Sequence, residues 1–245
     1  MRKIFIGDVH GCLEELAALI AKLGITAQDE VIFVGDLLDK GPDSPGVVRF
    51  VRALSASFQV VLVKGNHEWK HERFRKRRAD NKMTISEEMV DITDALSRED
   101  IEFLESAVGF HRTGKYLVVH GGIPGTLGEL PVSPSMVDIS SKERGVFEKL
   151  FMTRYISGET GKMMSLGTQG PNDPFWTALY DGRFGRVVFG HEAFLGGPQI
   201  TPHAIGIDTG CVFGGSLTAL VVEGDAESFV SVPATKAWAQ RLHVE

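Results

Sequence analysis

Cysteine is scarce: only Cys12 and Cys211 occur among 245 residues. Two thiols build neither a disulfide framework nor a zinc ribbon, so a reducing cytoplasm is the expected setting. Neither has an arginine in reach, which excludes the thiolate nucleophile of a cysteine-dependent phosphatase. Long apolar runs are also missing. The run after Arg2 and Lys3 meets Asp8 too early for a signal peptide, and nothing approaches a membrane span, so no membrane partner is expected. A basic excess is absent too: the formal charge is −6, which argues against a stable nucleic-acid partner. The nearest thing to a phosphate loop, Gly158 to Met163, has the wrong spacing and no Ser or Thr after Lys162. There is no internal repeat, low-complexity tract or clear linker, so one domain over residues 1–245 is expected.

What is present is an ordinary globular composition, 43% hydrophobic and 24% charged, able to bury a large core. Short runs rich in Val, Ile and Phe recur at Ile4–Ile6, Val31–Val34, Val60–Val63, Tyr116–Val119, Arg186–Phe189, Ala204–Ile207 and Leu217–Val222. Their continuous apolar character reads as strands covered on both faces rather than as amphipathic hairpins. Leu13–Leu23 has helical spacing and stops at Gly24, and Val47–Leu54 repeats the arrangement after the second run. The opening therefore reads strand–helix–strand–helix–strand, an α/β layered fold. Glu68 to Gly109 is charged and helical in pattern, with a helix start at Ser97. Pro124 to Pro174 reads as loops with one helix near Lys142–Phe151.

Five of the runs end in a glycine-flanked Asp, Asn or His. These are Gly7-Asp8-Val9-His10-Gly11, Gly35-Asp36, Gly65-Asn66-His67, His120-Gly121 and Gly190-His191. Singly, each is a turn or cap residue. If the strands are neighbours, all five groups converge at one sheet edge, where open α/β sheets bind ligands. Carboxylates, imidazoles and an amide without a thiolate suit manganese, iron or zinc. Six donors exceed what one ion takes while keeping positions open, so two ions sharing a carboxylate fit better.

The motifs GDVHG, GDLLDKG, GNHE, HGG and FGH, in that order, resemble the calcineurin-like metallophosphoesterases. Within that superfamily they are similar to the phosphoprotein phosphatase group, which includes bacterial serine/threonine protein phosphatases and diadenosine tetraphosphate hydrolases. The resemblance implies a β-sandwich flanked by helices, with the site at the strand C-terminal ends. It implies two divalent ions, manganese first, with iron, zinc, cobalt and nickel as alternatives. Asp8 and His10 would hold one, Asn66, His120 and His191 the other, and Asp36 would bridge them. A metal-bridging hydroxide would then attack phosphorus in line, with His67 as the acid for the leaving oxygen and Asp39 orienting it.

Lys40 stands where the family carries an arginine, offering a point charge in place of a planar fork for substrate phosphate. Arg154 sits where relatives place a second phosphate-binding arginine, beside Asn66 as a third phosphate contact; a helix-end cation is the alternative. Lys70–Arg78 packs six Lys or Arg residues, read as a solvated face or as a funnel for anions. Asp208 reads as a turn residue, Glu192 as surface polarity, and Trp69, Phe175 and Trp176 as core aromatics. Two substrates compete, a phosphorylated protein and a dinucleoside polyphosphate. The shared motifs lean slightly to phosphoserine and phosphothreonine proteins, while the closing Gly206–Gly215 stretch resembles the hydrolases. An inactive binding scaffold is a remote third reading, because no ligand position and no His67 has been lost.

Overall fold

The structure, a computed structural model, describes residues 1–78 and 86–241. Its first half runs β1 (Lys3–Ile6), α1 (Leu13–Leu23), β2 (Glu30–Phe33), α2 (Ser44–Ser55), β3 (Gln59–Leu62), α3 (Asn66–Arg78), α4 (Glu87–Ala95) and α5 (Arg98–Glu105). The second half adds β4 (His111–Thr113), β5 (Tyr116–Val118), α6 (Ser141–Met152), β6 (Arg186–Phe189), β7 (Gln199–Ile200), β8 (Ala204–Gly206), β9 (Ser216–Glu223) and β10 (Ala226–Pro233). Two five-stranded mixed sheets form, ordered β10-β9-β1-β2-β3 and β4-β5-β6-β8-β7.

The apolar character of the strands follows from a core on each face. Phe5, Ile32 and Val34 point between the sheets, against Val118, Val188 and Ile205. Their neighbours Ile4, Ile6, Val31 and Phe33 face outward onto α1 and α2, while Val187 and Phe189 face Trp176, Phe147 and Phe151. Because side chains alternate with period two, a strand between two apolar layers has no polar face to show. Local signals set the helix ends. Gly24 takes the left-handed conformation after α1 (φ 51°) and returns its N–H to Ile20 and Ala21. Asp43 caps α2, accepting from Gly46 N, and Ser97–Asp100 and Ser140–Glu143 form capping boxes on α5 and α6.

One expectation fails. β9 and β10 are an antiparallel hairpin, and β10 lies outside every run singled out above. None of its residues is fully buried because it is the sheet edge, so its apolar content is too dilute to read as a strand covered on both faces. The alignment of the sheets matters more for the site. β1, β2 and β3 are mutually parallel, as are β5, β6 and β8. The loops after β1, β2, β3, β5 and β6 therefore leave their sheets on one side, and the donation of His120 Nδ1 to Val34 O at 3.0 Å joins the two sets.

Lys64, between β3 and α3, is 2% exposed, and its ammonium donates to Glu72 Oε2 at 2.6 Å. Removing one partner of such a pair strands a buried charge. Glu72→Ala should therefore lower the unfolding free energy by roughly 3 kcal/mol in urea titration, with much of it recovered by the double change Lys64→Met, Glu72→Leu. A loss below about 1 kcal/mol in the single variant would put the pair in the class of exposed ion pairs.

Candidate metal centre

The backbone is bent to bring the polar groups together. His10, Asp36, Asp39, Lys40 and His191 all have positive φ, between 45° and 72°, and Asp138 is the only other non-glycine residue that does so among the described residues. Such conformations cost free energy and persist where surrounding structure imposes them. Two glycines have steric work here: a Cβ at Gly65 would lie 2.1 Å from Asp36 Oδ1, and one at Gly190 would lie 1.9 Å from Asp8 Oδ1.

Asp36 occupies the middle. Its Oδ1 accepts His67 N at 3.0 Å. Its Oδ2 faces His120 Nε2 at 3.2 Å on one side and His10 Nε2 at 3.5 Å on the other. Beneath it the buried Glu68 carboxylate accepts Asp36 N, Leu37 N and Gly65 N, fixing the loop. His120 Nε2 also lies 2.9 Å from Asn66 Oδ1 and 3.1 Å from His191 Nδ1. Asp8 accepts His191 N through Oδ2, which leaves its buried Oδ1 without a protein partner.

This crowd of acceptors fits cations. The Nδ1 atoms of His10 and His120 donate to Leu38 O and Val34 O, so their Nε2 lone pairs turn toward Asp36. His10, Asp36, His67 and Asp36, His120, His191 form two groups whose ligand atoms lie within 4.8 Å of one another, and Asp36 belongs to both. Asp8 Oδ1 and Asn66 Oδ1 stand beside them as further oxygen donors, a donor set whose chemistry fits oxygen- and nitrogen-ligated divalent ions. The electrostatics agree. Burial alone would lower His120, but Asp36 and Asp8 push it up to about 9. Burial and Asp208 hold the Asp8 carboxyl well above the usual range. Burial and the Lys40 ammonium, 2.9 Å from its Nε2, bring His10 down to about 3.

Asp39 shares its carboxylate between two imidazoles, His67 Nδ1 at 2.5 Å and His71 Nε2 at 2.6 Å. Burial would raise Asp39, yet these two hydrogen bonds hold it well below the usual carboxylate range. His71 is fully buried and reaches Thr93 on its far side. It carries no sequence signal, lying outside the GNHE motif. Its partner is 32 residues away and is brought near only by the packing of α3.

Arg154 is directed inward: Nε donates to Glu192 Oε2 at 2.9 Å and Nη2 to His191 O at 2.8 Å. Glu192 is thus corrected from surface polarity to a clamp, since its other oxygen accepts Arg241 Nη2 at 2.6 Å. Asp208 closes a turn onto Gly210 N at 2.9 Å while lining the same cleft as Lys40 and His191. Trp69 and Trp176 are buried in the aromatic core with Phe175 packed against it, so none presents a stacking face. On α3, Arg73, Lys76, Arg77 and Arg78 are exposed; Lys76 and Arg78 pair with Glu72 and Asp94, and Lys70 alone of the cluster reaches the site, 3.4 Å from Asp39.

A raised His120 and a raised Asp8 must both lose protons before they can ligate a cation. Manganese binding should release protons at neutral pH, and affinity should climb as pH rises toward about 9, where His120 deprotonates unaided. Calorimetry in buffers of different ionisation enthalpy reads this directly, and a heat independent of buffer would contradict it.

The comparisons with known proteins point the same way. At 35% identity over 248 aligned residues, the chain is similar to an asymmetrical bis(5'-nucleosyl)-tetraphosphatase of Halalkalibacterium halodurans, covering 93% of this chain and 92% of the relative. A symmetrical bis(5'-nucleosyl)-tetraphosphatase of Cellvibrio japonicus is 29% identical, with 90% and 95% covered. A crystal structure provisionally assigned as a diadenosine tetraphosphatase superposes with a TM-score of 0.72 at 26% identity, covering 95% of this chain and 93% of that one. The family profile described as calcineurin-like phosphoesterase matches residues 1–194. Because that match runs unbroken from β1 past His191, the chain belongs to the calcineurin-like phosphoesterases and is a hydrolase that works with divalent metal ions.

Proposed function

We propose that this phosphoesterase hydrolyses dinucleoside tetraphosphates asymmetrically, releasing a nucleoside monophosphate and a nucleoside triphosphate. The observation that carries the reading is 35% identity over 93% of the chain to a relative named for that activity. The leaning of the motifs toward phosphoprotein substrates gives way to it, since relatives above 30% identity carry the tetraphosphatase name. The cleft beside the centre supports the same choice, because Lys40, Arg154 and Arg241 line it with cations suited to more than one phosphate.

Asp8, His10, Asn66, His120 and His191 would hold two divalent ions, manganese first, with Asp36 between them. When bound, the ions supply an acidified water and positive charge against the phosphoryl oxygens. His67 does the proton work. Asp39 fixes its Nδ1, so Nε2 looks into the site, 3.8 Å from Asp36 Oδ2, and donates to the leaving oxygen. Asp39, kept ionised by His67 and His71, holds the ring in place and does not take the proton itself. Lys40 and Arg154 hold the phosphate oxygens that do not react. Among the described residues no helix is long and apolar enough to cross a membrane. A cytoplasmic nucleotide pool is the setting we assign.

With manganese, diadenosine tetraphosphate should be cleaved to AMP and ATP with kcat/KM at least about tenfold above that for phosphoserine, phosphothreonine or phosphotyrosine peptides, a gap of about 1.4 kcal/mol in transition-state binding. Two ADP would place the enzyme with the symmetrical relatives, and faster peptide turnover would make it a protein phosphatase. His67→Asn should keep its metal by elemental analysis, yet lose about 10²–10⁴ in kcat on an alkyl phosphate. The loss should be smaller on the tetraphosphate, whose leaving group needs less protonation. Undiminished alkyl phosphate turnover would remove the acid role from His67.

A further inference from the structure

A cleft of about 470 Å³ opens from His191 and Lys40 and continues away from the metal centre between Tyr155, Phe213 and Arg241. That volume lies in the range of small-ligand sites, about 300–1,000 Å³. Its cationic wall is built around one carboxylate. Glu192, with its side chain 16% exposed, accepts Arg154 through Oε2 at 2.9 Å and Arg241 through Oε1 at 2.6 Å. Arg154 is tied a second time, to His191 O, and so stands next to the reacting centre. Arg241 stands one carboxylate further out. It lies on the segment after β10, which is pinned to Val212 O by Trp238 N at 2.9 Å and Ala239 N at 3.1 Å.

Lys40, Arg154 and Arg241 share the lining with the carboxyl groups of Glu192 and Asp208, so cations outnumber acids along the wall. The contacts are stepwise: Lys40 lies beside His10 and Arg154 beside His191, whereas Arg241 is joined to Arg154 through Glu192. The remaining wall mixes the polar Gln169, Gln240 and Asp208 with apolar surface from Phe213, Leu166 and a Tyr155 ring braced edge-on by Phe175 at 5.8 Å. Aromatic rings lie along the same track, Tyr155 next to Arg154 and Phe213 under the Lys40 ammonium at 5.3 Å. Cations beside flat apolar faces match a nucleoside 5'-polyphosphate, which joins a run of charge to a flat base.

We propose that Arg241, coupled to Arg154 through Glu192, is a second anion subsite that selects polyphosphate chains over single phosphates. This deepens the tetraphosphate reading and rests on it, but its test does not need tetraphosphate cleavage. The manganese-loaded enzyme is assayed on p-nitrophenyl phosphate with AMP or β,γ-methylene-ATP as inhibitor, at one fixed excess of manganese. The methylene triphosphate should inhibit more tightly than AMP, and Arg241→Ala should shrink that ratio of inhibition constants by about tenfold, the scale of one charge-assisted hydrogen bond. Arg241→Lys should retain part of the ratio, having charge without the fork. An unchanged ratio in Arg241→Ala, or equal weakening of both inhibitors, overturns the subsite. Absence of tetraphosphate cleavage by the wild-type protein counts against the reading of its substrate, and leaves the inhibition ratio to decide the subsite.

Discussion

A carboxylate buried where two sheets meet is the constraint from which the rest of the structure follows. Asp36 is 2% exposed, and burial would ordinarily raise such a group. Instead the imidazoles of His120 and His67 hold it well below the usual carboxylate range. An anion in that position has to be surrounded by donors or cations, because an unpaired buried charge is costly. The surroundings comply on every side. The N-terminus of α3 supplies His67 N, and Glu68 ties down the loop that carries the carboxylate. The second sheet brings His120 and His191 from across the seam.

The sandwich is what allows this convergence. Parallel strands send their loops out on one side, so two mixed sheets that face one another, each with three parallel strands, deliver those loops to a common rim. The rim is strained. Positive φ at His10, Asp36, Asp39, Lys40 and His191 is free energy spent on aiming side chains, and rigid strands buried on both faces hold those bends in place. Next to this rigid core the Asp39 carboxylate links His67 to His71, so the His67 imidazole is braced from the buried side of α3.

Charge is distributed unevenly around the centre. The net charge of the chain is negative, yet the cleft beside the acceptors is lined by Lys40, Arg154 and Arg241. Local placement, and not overall composition, sets the charge around the site. Glu192 is the device that achieves it, since one acid orders two arginines and still leaves the wall cationic.

Local sequence determined much of this. Strand, glycine, then Asp, Asn or His is a short-range pattern. The opening β–α–β–α–β order and the residues Asp8, His10, Asp36, Asn66, His67, His120 and His191 could be named without coordinates because each sits in a contiguous motif. The helix ends at Gly24 and Ser97 were legible for the same reason, whereas the caps at Asp43 and Ser140 were not. Tertiary structure alone decided the contacts between residues far apart in the chain. β9 lies beside β1, pairing Ile6 with Ala219, and its partner β10 is too polar at the sheet edge to announce itself. His71 meets Asp39, and Glu192 joins Arg154 to Arg241, only because helices and loops pack around the rim. Motifs report which atoms can bind a cation. Which side chains lie behind and beyond them depends on packing between distant segments, and no local pattern encodes that.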